Sequence, residues 1–182
     1  TDNLSMEEFY SLEEIWFDPS RLLTVARNIK NGLDEYVTNY YLKQNIENNF
    51  NTLKEELDKI GSKLADTTKE ATNKILVTND EMFKFLSRDK YGLTVYVLDE
   101  NASSKTISDV KYLIENDKIN YIYIKQYDEP NEIINNLIEG TDVEVIKLHM
   151  LTNLTENEIS NKKDYFSIMN ENIELLRKNL YN

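Results

Sequence analysis

A chain of 182 residues, 40% of them hydrophobic, has room for one domain of ordinary size plus an appendage. Its formal charge of −12, from 33 acidic against 21 basic residues, argues against the nucleic-acid backbone as a partner and makes cations the natural ligands. Cysteine is absent, which excludes disulfides, thiolate metal sites and a cysteine nucleophile, and no run approaches the roughly 20 apolar residues of a membrane helix.

Residues 1–17 read as irregular and lead into Ile15-Trp16-Phe17-Asp18-Pro19-Ser20, where Asp18 or Ser20 can cap the next helix. No signal peptide opens the chain, so it reads as a cytosolic protein or as a trimmed mature fragment. From Ser20 to about Tyr36, Leu22, Leu23, Val25, Ala26, Ile29 and Leu33 recur at spacings of three and four and predict an amphipathic helix. A longer helix is predicted from about Thr38 to Glu70, with a narrow stripe running from Tyr41 through Phe50 to Leu64. Its other faces are charged or amide-bearing, which suits a spacer lying across a surface or bridging two domains, and Gly61 is a candidate kink.

Near residue 74 the pattern changes to short apolar runs, each ending in a polar cluster. They are Lys74–Val77, Leu93–Leu98, Ile119–Ile124 and Val143–Leu148, and segments with helical spacing separate them. The first such segment follows a cap at Asn79 or Asp80 and holds Met82, Phe83, Phe85 and Leu86; the second spans Ser103 to Asn116. The third places Pro130 in its first turn and closes at Gly140, and the last, after a connection from Met150 to Asn161, carries Tyr165, Ile168, Met169, Ile173, Leu176 and Leu180. The β-α order predicts an α/β fold with a four-stranded parallel sheet flanked by helices. Ligands of such sheets bind beyond the carboxyl ends of the strands, which singles out Asp80, Asp99 and Glu100, Gln126 to Glu129, and His149 to Asn153.

None of the four glycines opens a helix after a strand, so no phosphate loop and no organic cofactor is expected. The single histidine, His149, has no serine in a nucleophile-elbow sequence to serve, and no catalytic residue is assigned: the chain reads as a binding protein, not an enzyme. Asp99-Glu100 and Asp128-Glu129 suit either solvated loops or cation ligation, and His149 either reaches a metal in the cleft or satisfies a backbone group. Trp16 reads as a packing anchor.

Four stretches together resemble the zinc- and manganese-type substrate-binding proteins of bacterial metal ABC transporters. Glu14-Ile15-Trp16-Phe17-Asp18-Pro19 resembles the family's Asp-Pro-His-x-Trp-x-Asp-Pro segment, and Val77-Thr78-Asn79-Asp80 through Tyr91-Gly92-Leu93 resembles its Thr-Ser-His/Glu-x-Ala-Phe-x-Tyr turn and Tyr-Gly ending. Ile122-Tyr123-Ile124 with Gln126 and Glu129 is similar to the third strand and its exit, and Asp164-Tyr165 through Met169 to Asn172-Ile173 to the Asp-Tyr-x-x-Met-x-x-Asn-Leu finish.

The resemblance implies that residues 1–37 are the tail of an amino-terminal lobe and a first helix, 38–73 a long linker helix, and 74–182 the carboxyl-terminal α/β lobe. The amino-terminal lobe with the first metal histidine is then missing from this chain. It implies a metal site at Glu14, Asp80 and Asn153, standing where the family has His, His or Glu, and Asp, with His149 nearby. Such oxygen donors suit manganese, calcium or magnesium better than zinc. The function implied is capture of a divalent ion, Mn or Zn, on the surface of a Gram-positive cell by a lipid-anchored protein that delivers it to a transporter permease. The alternative is a degenerate member that binds no metal and acts as a surface recognition or adhesion module.

Overall fold

The computed structural model describes residues 14–181, and the expected irregular stretch lies outside the described residues as far as residue 13. Its last four residues form a helical turn, α1 (Glu14–Phe17), and Asp18 then caps α2 (Pro19–Tyr36) by accepting from the Ser20 amide at 3.0 Å. Pro19 occupies the first helical position, where its missing N–H costs nothing. After a three-residue break, Asn39 caps α3 (Tyr40–Lys69), a helix of 30 residues and about 45 Å. Gly61 does not break it: it lies in continuous helix against α2, where an added Cβ would stand 3.7 Å from the Pro19 side chain.

The sheet consists of β1 (Ile75–Thr78), β2 (Thr94–Val97), β3 (Tyr121–Lys125) and β4 (Glu144–Leu148), all parallel, in the order β2-β1-β3-β4. Alternation along each strand feeds two cores, because successive side chains point to opposite faces. Leu76, Tyr123, Ile146 and Leu148 pack with Ile60 and Leu64 of α3 and with Met169, Ile173, Leu176 and Leu180 of α7 (Tyr165–Leu180). Val77, Ile122 and Ile124 pack on the other face with Val110 and Ile114 of α4 (Ser104–Glu115) and Ile134 of α5 (Glu132–Ile138). Burial on both faces is why the strand sequences read as near-continuous apolar runs. Polar ties fix α7 to the sheet: the Tyr123 hydroxyl donates to the Leu175 carbonyl at 2.9 Å, and the buried Asn179 amide donates to the Ile75 carbonyl at 2.8 Å.

Three local features differ from the sequence reading. The helix after β1 is a 3-10 helix, Glu81–Ser87, whose buried pairs Met82/Phe85 and Phe83/Leu86 are three apart, matching three residues per turn. Pro130 stands outside α5, since Asn131 is the cap and accepts from the Ile134 amide at 2.9 Å. A short helix, α6 (Glu156–Ser160), interrupts the connection after β4; its capping box pairs Thr155 with Glu158. Ile122 is fully buried in the second core, so Ile122→Ala should lower the unfolding free energy by about 2–5 kcal/mol in chemical denaturation. A loss below about 1 kcal/mol would mean that this face of the sheet is not closely packed.

Candidate metal site

The strand order reverses between β1 and β3: the chain leaves β1 for β2 at one edge and leaves β3 for β4 at the other. The crevice between their carboxyl ends is the default ligand site of such a sheet. Asn79 and Asp80 enter it from β1, and Lys125 and Asp128 from β3. The Asn79 amide donates to Asp128 at 2.8 Å. Asp80 uses one oxygen to cap the 3-10 helix, accepting from the Met82 amide at 2.8 Å, and the other to pair with the Lys125 ammonium at 2.8 Å. The crevice is therefore cross-linked by its own side chains. Beside it lies a hollow of about 330 Å³ lined by Asn79, Asp99, Glu100, Asp128, Glu129 and Asn131. Asp80 and the 149–153 stretch are not among its lining residues.

His149 follows β4. Asn172, buried in α7, clamps its backbone from both sides, accepting from the His149 amide at 3.0 Å and donating to its carbonyl at 2.9 Å. The ring Nδ1 accepts from the Leu151 amide at 2.9 Å, which in the neutral imidazole puts the proton on Nε2. Nε2 lies 3.5 Å from a Glu158 carboxylate oxygen. Nδ1 is thus occupied by the loop's own backbone, while Nε2 is buried near Glu158 without a hydrogen-bond partner among the described residues. Asn153 is exposed, and its oxygen accepts from the Tyr127 hydroxyl at 3.3 Å and from Thr152 at 3.1 Å.

Glu14 is fully buried. One carboxylate oxygen accepts from the Arg88 guanidinium in a very short contact and forms an ion pair with Arg21 Nε at 3.2 Å; the other is buried and has no hydrogen-bond partner among the described residues. Arg88, at the end of the 3-10 helix, also donates to Asp18 at 3.1 Å. The other Asp18 oxygen, besides capping α2, accepts from the Tyr91 hydroxyl at 3.4 Å. Burial, and then the negative charge of Asp18, push the Tyr91 and Tyr165 hydroxyls well above the ordinary phenol range. Tyr165 donates to the Trp16 carbonyl at 3.0 Å, closing α7 onto α1.

The four residues named from the sequence therefore meet four different sets of partners: Arg21 and Arg88 at Glu14, Lys125 at Asp80, Leu151 and Glu158 at His149, Tyr127 and Thr152 at Asn153. Among the described residues, no group of three or more His, Asp or Glu could hold a metal ion. The sequence reading missed Arg88, Lys125 and Glu158. Glu158 carried a signal, the capping-box spacing from Thr155; Arg88 lies 74 residues from Glu14 and carried none.

The structure is thus a parallel α/β lobe behind a long helix, with Asn79, Asp80, Lys125 and Asp128 at the carboxyl edge of its sheet. The family described as ZnuA, zinc-uptake complex component A, periplasmic, matches residues 13–179, and the chain belongs to it. It is 27% identical over 168 residues to the zinc-binding protein AdcA of Streptococcus pyogenes, and 24% identical over 169 residues to the zinc-binding lipoprotein AdcA of Streptococcus pneumoniae. These alignments cover 90% of this chain, and the chain spans about a third of the length of those relatives (32% and 33%). In fold it is similar to the Zn(II)-bound ZnuA-like domain of Streptococcus pneumoniae AdcA, with a TM-score of 0.73 at 22% identity over 100% of this chain and 68% of that one. It is also similar to the periplasmic zinc-binding protein TroA of Treponema pallidum, with a TM-score of 0.70 at 18% identity over 98% of this chain and 69% of that one.

Hydrogen bonds from the Thr155 amide and hydroxyl hold the Glu158 carboxyl below its ordinary value of 4.5. A carboxylate depressed on folding adds stability above its unfolded value and loses it as pH falls through the folded value. Stability should therefore fall as pH drops below about 4.5, and Glu158→Gln should flatten that slope in melting curves taken across the acid range. An unchanged slope in the variant would assign the acid sensitivity to other carboxylates.

Proposed function

We propose that this chain belongs to a protein that captures a divalent metal ion, zinc or manganese, at the cell surface and hands it to the permease of a metal ABC transporter. In this reading residues 74–182 are the carboxyl-terminal lobe, 38–73 the linker helix and 1–37 the approach from a second lobe. The metal is cargo, held across the cleft and released unchanged. Glu14, Asp80 and Asn153 are its ligands from this side, with His149 shaping the loop that carries Asn153.

Glu14 is the observation that carries the reading. It is a carboxylate removed from water, with one oxygen that has no hydrogen-bond partner among the described residues, at the position where the resemblance of its Trp-x-Asp-Pro segment implies a metal ligand. A buried acceptor without a donor is costly, by about 1–3 kcal/mol, and a cation is the partner a carboxylate best accepts. Among the described residues no group of three His, Asp or Glu converges, so metal capture in this reading requires further donors. One observation favours the alternative of a surface recognition module: Glu14 and Asp80 already have internal cations in Arg88 and Lys125.

Thermal melting of the full-length protein with and without zinc or manganese separates the two. A ligand bound only by the native state adds about 2.7 kcal/mol at a hundredfold excess over Kd, so metal capture should raise Tm by several degrees, reversed by chelator. No shift with either metal would leave the recognition role.

A further inference from the structure

The hairpin of α2 and α3 projects from the lobe with its apolar residues uncovered. Among the described residues none from 20 to 56 is buried, although apolar positions recur along both helices. One face of α2 meets α3, where Leu23 lies with Leu57, Gly61 and Ala65 around a hollow of about 460 Å³. A second face of α2, formed by Ile29, Gly32, Leu33 and Tyr36 at spacings of three and four, is open, and Tyr36 is 81% exposed. Past the turn, Tyr40, Tyr41 and Leu42 extend it, with Tyr41 75% exposed. Six of the twelve large hydrophobic side chains exposed among the described residues thus fall within residues 29–42. Such a concentration marks an interaction surface, whereas single exposed apolar residues do not.

We propose that this face takes a second copy of the same protein, two hairpins stacking through antiparallel α2 helices into a four-helix bundle. The face is complementary to itself. In an isologous contact residue i meets j while j meets i, so a two-fold axis beside Gly32 and Leu33 sets Ile29 of each copy against Tyr36 of the other. The same axis brings Lys30, which pairs with Asp34 in its own helix at 2.7 Å, level with Asp34 of the second copy, so the charges alternate across the contact. Net charge favours this place above others. Residues 20–56 hold five basic and five acidic side chains, a formal charge of zero on a chain that carries −12, so two copies repel least here. Gly32 lies at the centre of the face. Glycine weakens a helix interior, but nothing stands within 4 Å of where its Cβ would be, and a second helix can approach closely there. The area is sufficient: Tyr36, Tyr40 and Tyr41 offer on the order of 400 Å² per copy, and with Ile29, Leu33 and Leu42 the face approaches the roughly 800 Å² per partner of a stable interface.

Sedimentation of the full-length protein from micromolar to submillimolar concentrations, with chelator present so that metal plays no part, tests this. The native protein should pass from monomer to dimer as concentration rises. Leu33→Asp, which puts a charge beside its own counterpart, should weaken the dimer at least about a hundredfold. Gly32→Leu gives a second reading with the opposite effect on the monomer: it should stabilise a free helix in melting curves, yet weaken the dimer by filling the gap at the axis. Ile159→Asp, at an exposed apolar position on α6, should dimerise as the native protein does. A native protein that stays monomeric at every concentration, as when a further lobe of the same polypeptide covers this face, overturns the proposal. So does a dimer that either Leu33→Asp or Gly32→Leu leaves unchanged.

Discussion

A buried carboxylate gripped by two arginines through a single oxygen ties this structure together at the place where it would act. Glu14 comes from the start of the described chain, Arg21 from the long hairpin of α2 and α3, and Arg88 from the end of the 3-10 helix. Their meeting joins the entry segment to the first crossover of the sheet. Next to Asp18 in the chain, the Phe17 ring packs edge-on against Phe83, with centroids 5.6 Å apart. Burial of ions is unfavourable unless each is matched, and a well-matched pair contributes less to net stability than to fixing one arrangement over others. Here the arrangement fixed is the placement of α1 beside the carboxyl edge of the sheet.

The sheet supplies the frame for that edge. Because both faces are covered, its strands cannot slip without exposing one core, and the loops after β1 and β3 are held to a common rim. Across the rim, the Asn79–Asp128 and Asp80–Lys125 contacts bridge the point where strand order reverses. Each acidic group that the family likeness nominates as a ligand, Glu14 and Asp80, thus has a basic neighbour within this chain. An overall charge of −12 still leaves the molecule attractive to cations at long range.

Much of the architecture was legible in the sequence because its causes are local. Continuous runs such as Ile122-Tyr123-Ile124 announce a strand buried on both faces, and the spacing of leucines before residue 36 announces α2. The 3-10 helix was misread because Met82, Phe83, Phe85 and Leu86 satisfy both a three-residue and a 3.6-residue period over so short a span. Pro130 was read into the first turn of α5 but lies one residue before the cap, Asn131. At the site, the likeness to Trp-x-Asp-Pro pointed to Glu14, but nothing in residues 87–91 marks Arg88 as its partner. Ion pairs between residues 70 or more apart depend on the tertiary path alone, and no spacing rule encodes them.

The most direct measurement is anomalous diffraction at the zinc edge from crystals of the full-length protein grown with that metal. The account requires an anomalous peak about 2.0–2.2 Å from the bare oxygen of Glu14, with Arg88 either still on the opposite oxygen or swung away. A peak seated elsewhere, with Glu14 and Arg88 undisturbed, would contradict it.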